Sequence, residues 1–467
     1  MKKSTLALAG IIGLGAIWTG GAYYTGQKAE SELQNFIKRS NIEMAKVLPI
    51  SIENAKFERG IFSSKTSYDV VVVNENNEKT VLPFEGTFYH GPFPLNLVKK
   101  LNFMPAMFSF TDNLVKNSET ESFFANGNEP FSGEAILTYG KHWKGSIKSI
   151  LNDVVYKKLK LSGDFTSEYD FAQDGIKGKT SLIAKTLKIE NVDSQNAPFS
   201  VLMNDVQLDM KANSSSAFKY VYDSDLVLKL GNVKLHTIDG EGKNLNLDAQ
   251  NSTLHYTSTI KDKFVDYGLS YQLDNVLFNG INVGKLQSDV ALNHLDAQSV
   301  EALSSGYYDE KLSPSMAQFI AAAILANKPQ LKENGFKVEN DSGKFAADLD
   351  IHLAKFDAAK INPNKLLTLF KAFMVNARLD KSLFLNFVSE LAQRDDGLSK
   401  EDADKKAQDV LNIFVAESKK NNWLIDDGDV LKLNAHIDGD NLDFNGRKYS
   451  NQELQGLLIM LMMSGGF

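Results

Sequence analysis

Residues 267–273 read Tyr-Gly-Leu-Ser-Tyr-Gln-Leu, so that Tyr267, Leu269, Tyr271 and Leu273 fall at every second position. A period of two places all four on one face of a β-strand and leaves glycine, serine and glutamine on the other. The same alternation precedes it in Leu226, Leu228 and Leu230, then in Leu245 and Leu247, then in Leu254, Tyr256 and Ile260. Turn signals fall between and around these stretches: Gly231-Asn232, Asp239-Gly240-Glu241-Gly242 and Asn279-Gly280. Strands joined by connections this short pair antiparallel and in sequential order, each with one wet face. Two more stretches extend the pattern, one from Phe345 to Leu353, the other from Leu431 to Ile437 through Asp438-Gly439 into Leu442 and Phe444.

Helical spacing interrupts the alternation at 297–331, 364–393 and 400–420, with a short terminal helix at 451–463. The third has a start signal in Ser399-Lys-Glu-Asp402 and an apolar face of Val410, Leu411, Phe414 and Val415. The expected fold is α+β and mainly β: a long curved antiparallel sheet of sequential hairpins with helices packed on it. No Pro-, Ser- or Gly-rich linker divides residues 49–467, which read as one elongated domain. So many sequential strands must curl or split, because open twisted sheets seldom exceed about ten strands.

Lys2 and Lys3 precede an apolar, glycine- and alanine-rich run from Leu6 to Tyr24, closed by Trp18, Tyr23 and Tyr24. At ~1.5 Å per residue that run is long enough to cross a bilayer core. Residues 1–26 are therefore expected to form a transmembrane anchor, lysines in the cytoplasm, with the body exported. The competing reading is a signal peptide cleaved after Ala22. Leu33, Phe36, Ile37, Met44 and Val47 are spaced as an amphipathic stalk helix over 27–48, ended by Pro49. The location that follows is the inner membrane, single-pass, with the body in the periplasm.

The 467 residues carry a net charge of −7, which argues against a general affinity for nucleic acid or anionic headgroups. Cysteine is absent, which removes disulfides, thiolate nucleophiles and thiolate metal sites together. No Gly-x-Ser-x-Gly elbow, phosphate loop, dinucleotide fingerprint or His-Glu-x-x-His helix occurs. His142, His236, His255, His294, His352 and His436 lie on or beside alternating segments, where a wet sheet face accounts for them. Asp426-Asp427-Gly428-Asp429 and Asp438-Gly439-Asp440 lack the ligand spacing of a calcium loop and read as turns. No enzyme, cofactor or metal site is implied.

Three blocks carry more than periodicity: Trp18-Thr-Gly-Gly-Ala-Tyr-Tyr-Thr-Gly26, Phe57-Glu-Arg-Gly-Ile-Phe-Ser-Ser64 and His90-Gly-Pro-Phe-Pro-Leu95. With the segment from Asp438 to Gly446 they resemble the YdgA-like family of bacterial envelope proteins, a domain of unknown function. The resemblance implies location and architecture and brings no catalytic residues. Trp18, Gly20, Gly21, Arg59, Gly60, Phe62, Gly91, Pro92 and Pro94 are its motif positions. Arg59-Gly60 has the grammar of a tight hairpin with glycine at positive φ. His90 through Pro94 reads as a sheet-to-helix corner, and the functional alternative makes His90 and Phe93 the lining of a ligand mouth. Phe103, Met104, Met107 and Phe108 are candidates for the same apolar lining, because flexible methionines adapt to varied ligands.

The architecture also resembles the AsmA-like and lipid-bridge envelope proteins, an analogy of anchor and sheet alone. The functions that follow are binding of phospholipid or another apolar envelope ligand in the curved sheet, or docking of an envelope protein at an exposed sheet edge. The membrane is the expected partner in both cases and nucleic acid in neither.

Overall fold

In the computed structural model, residues 3–44, 49–73, 79–127, 129–156, 158–172, 176–191, 198–215, 217–238, 242–308, 312–357, 360 and 362–456 are described. Alternation dominates them: twenty antiparallel strands make one sheet. The residues group into two compact units, 1–196 with 205–211, and 197–204 with 212–467.

The first unit carries β1 (Ile50–Arg59), β2 (Ser63–Val73), β3 (Lys79–His90), β4 (Ala106–Leu114), β5 (Phe131–Thr138), β6 (His142–Tyr156), β7 (Leu159–Ala172) and β8 (Gly178–Asn191). Each pairs with the next. β9 (Ser200–Asn213) has residues in both units. The second carries β10 (Asp223–Ile238), β11 (Asn244–Lys261), β12 (Phe264–Phe278), β13 (Ile281–Asp296), β14 (Gln330–Asn340), β15 (Gly343–Leu353) and β16 (Phe370–Asp380), again paired in sequence. β16 then pairs with β18 (Val430–Asp438), whose other edge is shared by β17 (Ile425–Asp427) and β19 (Asn441–Phe444). β20 (Arg447–Ser450) closes on β19.

The expected turn at Asn279-Gly280 is a two-residue hairpin, and the one expected at Asp438-Gly439 falls one residue later, at Gly439-Asp440, with positive φ at Asn279, Gly280 and Gly439. Gly231-Asn232 is not a turn, since β10 runs straight through it and the Asn232 amide donates to Asp248. Leu245 and Leu247 likewise share one 18-residue strand with Leu254 and Tyr256. A bulge at Asn251, φ 48°, shifts the register between Gln250 and Thr253 and lets odd and even positions serve the same face. Asn275 does the same in β12.

The fold class expected from the sequence is corrected in its helical part. Helices are few; one predicted helix is split in two and runs into a strand, and another is broken by a strand. Residues 297–331 form α3 (Ala297–Tyr308) and α4 (Pro314–Ala326) and then enter β14. Within 364–393 a 3-10 segment ends at Leu369, residues 370–380 are β16, and a helix, α5 (Lys381–Asp395), begins only at Lys381. Partners on both edges, β15 and β18, override the helical spacing there. The helix α6 (Lys400–Lys420) stands where expected, with the Ser399 hydroxyl accepting from the Asp402 amide. Of 451–463, residues 451–456 are helical and the rest lie outside the described residues.

The transmembrane anchor is the larger correction. The N-terminal run and the stalk form a single helix, α1 (Lys3–Met44), and among the described residues no helix is long and apolar enough to cross a membrane. Ala22, Ala29 and Leu33 of α1 are buried by the protein itself, the last two in a core with Phe88, Phe108 and Leu137. The far end of the expected span is thus committed to the protein's own core.

Candidate functional site

The motif positions meet where α1 lies on β1 to β4. His90, the last residue of β3, is 1% exposed. Its backbone N–H donates to Phe62 O, its ring Nδ1 lies 2.8 Å from Ile61 O, and its Nε2 lies 2.8 Å from Ser64 Oγ. A carbonyl only accepts, so Nδ1 carries the proton and Nε2 accepts from the serine hydroxyl. Burial pushes the imidazole pKa down, helped by the Arg59 charge and opposed by the Ile61 carbonyl. The ring is therefore neutral, in one fixed tautomer.

Gly26 of α1 rests on that ring, and a Cβ there would stand 2.6 Å from His90 Cε1. Toward the start of the helix Gly21 rests on Pro92, where a Cβ would stand 2.9 Å from Cδ. Thr25 bonds to Gly21 O at 2.8 Å and reaches Gly91 O at 3.4 Å. Trp18 meets Phe93 edge-on at 6.4 Å, and Arg59 pairs with Glu30 at 3.5 Å. Three blocks distant in sequence thus form one helix-docking seam. Ser64 and His90 have the spacing of a nucleophile and its base. Both are 1% exposed and Gly26 covers the ring, which bars any substrate, so the pair acts as a pin.

Gly60 corrects its reading. It is not among the positive-φ residues, and the loop has four residues, since Arg59 pairs with Ser64. Glycine is needed because a Cβ would meet Ser63 O at 2.4 Å. The corner after His90 is present, with α2 (Leu95–Lys99) following a buried Pro94. Gly20 faces nothing within 4 Å, and Phe62 is exposed.

The six ligand candidates divide between core and surface. His90 and Phe108 are fully buried, and Met107 packs against the Phe108 core. Phe103 is 62% exposed, Phe93 is exposed with Trp18 edge-on to it, and Met104 is half-buried. Farther along the same sheet face, Tyr68 donates to Asp112, and Tyr169 lies near that carboxylate. Burial raises the Asp112 pKa against the opposing Tyr68 bond, and burial also lifts Tyr169 to about 12. Sequence reasoning missed this cluster because its members come from β2, β4 and β7.

The second unit carries its apolar residues in rows that follow the register. One runs Leu226, Tyr256, Leu269, Val290, Glu333, Leu349, Val375, Ala435, from β10 to β18. A second runs Leu228, Leu254, Tyr271, Ser288; a third Tyr267, Leu292, Leu331, Ile351, Phe373; a fourth Leu286, Val338, Phe345, Leu379, Leu431. The one carboxylate among them, Glu333, is tied down by Ser288 Oγ and the Asp289 N–H. Val221, Val265 and Leu295 pack under α3 and α4 beyond the third row, and most of the row residues themselves are half-buried, with Leu269 37% exposed. The alternate positions are polar: His255 pairs with Asp225, Lys332 and His352 with Asp350.

Two other hollows are polar or neutralised. A groove of about 410 Å³ on β1 to β4 is lined by Lys56, Glu58, Lys65, Glu85 and neighbouring threonines. Another of about 770 Å³ beside α5 and α6 has Lys381 and Lys419 both committed to Asp426. Among the described residues no three His, Asp or Glu side chains gather as metal ligands.

No solved structure matches the chain. An uncharacterized protein of Haemophilus influenzae is 28% identical over 323 residues, covering 65% of this chain and 85% of that one. Protein YdgA of Escherichia coli is 27% identical over 346 residues, 71% of this chain and 66% of that one. The uncharacterized protein YihF of Escherichia coli is 23% identical over 492 residues, 97% and 98% of the two chains. The model of the family described as bacterial protein of unknown function (DUF945) matches residues 1–452, and the chain belongs to that family.

Proposed function

We propose that this is a non-enzymatic, lipid-handling protein of the cell envelope, which holds acyl chains on the apolar rows of its second unit. The observation that carries the reading is the first row: eight strands in register, seven of them contributing an apolar side chain, and most of the row half-open. At ~4.8 Å between strands such a row extends roughly 30 Å, which suits an extended acyl chain. Apolar surface left in water costs about 25 cal/mol per Å², so a hydrocarbon ligand recovers what the fold leaves exposed. Leucine and tyrosine side chains without a free charge accept chains of varied length.

Docking of a partner strand at the sheet edge has less support. The Asn41 side chain of α1 already donates to Ile52 O and accepts from Ile52 N on β1, occupying that edge as a strand would.

The test is to purify the full chain, extract it with organic solvent and weigh the extract by mass spectrometry, alongside a Leu269→Glu, Tyr271→Glu variant. Stoichiometric acyl lipid with the wild type and little with the variant is expected. A lipid-free wild type, or equal lipid on both, would overturn the proposal.

A further inference from the structure

We infer that helix α4 dips into the surface of a neutral bilayer, laying Met316 and Phe319 among the lipid chains; the inference rests on the acyl-lipid reading above and names where lipid meets the protein.

α4 is firmly built. Ser313 caps it by accepting from the Met316 N–H at 3.2 Å, Pro314 opens it, and the Asn327 side chain closes it on Ala323 O. Its inner face is anchored, with Ile320 buried and Ile324 packed on the core of Val221, Val265 and Leu295. One flank is apolar and open: Phe319 is 76% exposed and Met316, one turn before it, 49%, while Leu325, 48% exposed, lies on the opposite flank, and Tyr307 at the end of α3 is 71% exposed.

The choice of a bilayer over a protein comes from charge. From Leu312 to Asn327 the chain has no Asp, Glu, Lys or Arg. A water-facing helix normally carries charge on its outer side. α6 does so: it also exposes Ile413, yet it carries ten charged residues among its 21. A hydrocarbon phase would have to strip water from those charges, whereas α4 offers none to strip. A protein partner would look for rim hydrogen bonds, about one per 100–200 Å², and α4 supplies only Ser315 and Gln318 on its exposed positions. Thirteen residues at ~1.5 Å each cannot cross a bilayer, so the helix lies in the interface. Continuity is the second argument. Ile324 of α4 packs on the same buried cluster of Val221, Val265 and Leu295 as Tyr267 and Leu292, where the third apolar row begins, so a chain leaving the leaflet beside α4 comes out next to that row.

The experiment is flotation of the full chain with phosphatidylcholine vesicles at low and high salt, beside Met316→Glu, Phe319→Glu. Wild type should float equally at both salts, because burial without charge pairing is unscreened. The double variant, altered only at exposed positions, should melt like wild type and bind roughly a hundredfold more weakly, given the cost of two carboxylates at the lipid boundary. A wild type that stays with the unbound fraction overturns the inference, as does binding confined to anionic vesicles and abolished by salt. So does a sedimentation dimer that the double variant dissociates, which would mean a second copy covers Phe319. If flotation fails while purified wild type still carries acyl lipid, the bilayer role of α4 falls and the lipid reading stands; flotation by a lipid-free protein gives the reverse.

Discussion

The two units treat the same structural problem differently. Both present one apolar face of an antiparallel sheet. In the first, α1 covers Phe88, Phe108 and Leu137, and the 3-10 segment Glu121–Gly127 brings Phe123 and Phe124 onto Leu114, Phe131 and Val154. In the second, α3 and α4 pack beside the third row, α5 lies against β13, β15 and β16, and most row residues stay only half-buried. A covered face stabilises the fold; a half-open face leaves free energy for a ligand. Substitutions should therefore act on stability in one unit and on binding in the other.

The largest effect belongs to Phe108→Ala. The ring is fully buried and touches Phe88 and Trp143, so its loss should cost about 3–5 kcal/mol in denaturant unfolding. A cost as small as that of Leu269→Ala would erase the distinction. Next is Gly26→Val, where the added atoms collide with the His90 ring. About 1–3 kcal/mol should be lost, with faster proteolysis within α1 than in the sheet. Unchanged proteolysis would mean that the glycine seam does not hold the helix.

The covered face should also carry a pH dependence below neutrality. The folded pKa of His90 lies below the unfolded 6.5, so its contribution is complete above pH 6.5 and lost as pH falls through the folded value. Asp112 runs the other way. Its folded pKa lies above 3.8, so its contribution is present in acid and lost as pH rises through the folded value. Comparing wild type with His90→Gln across this range isolates the histidine: the stability gap should narrow as pH drops below 6.5. A constant gap would show that the imidazole is not held neutral.

What the sequence made legible follows from range. Local alternation located the strands at Leu226 to Leu230 and Tyr267 to Leu273, and Asn279-Gly280 fixed a hairpin, because each signal sits within a few residues. Bulges broke that reading. Asn251 carries no signal distinguishing it from a turn asparagine, so one strand reads as two. β16 reads as helix because its partners β15 and β18 lie outside any local window. The blocks around Gly26, Ser64 and His90 were visible as blocks, but nothing local says that a helix glycine meets an imidazole 64 positions later. Nor does anything local say that Ala22, at the far end of the apolar run, is buried by the protein itself.

The smallest effect on stability, and the sharpest test of the contrast, is Leu269→Ser. Leu269 is 37% exposed and sits in the first row between Tyr256 on β11 and Val290 on β13. More than a third of its surface stays in water after folding, so the loss should be about 1–2 kcal/mol, well below that of Phe108→Ala. The row, however, works by continuity: a hydroxyl at its middle puts a polar group against hydrocarbon, which costs more than the lost contact alone. Lipid recovered with the purified variant should fall well below wild type while its melting temperature hardly moves. If stability drops as steeply as in Phe108→Ala, the face is core after all, closed by packing rather than by a ligand.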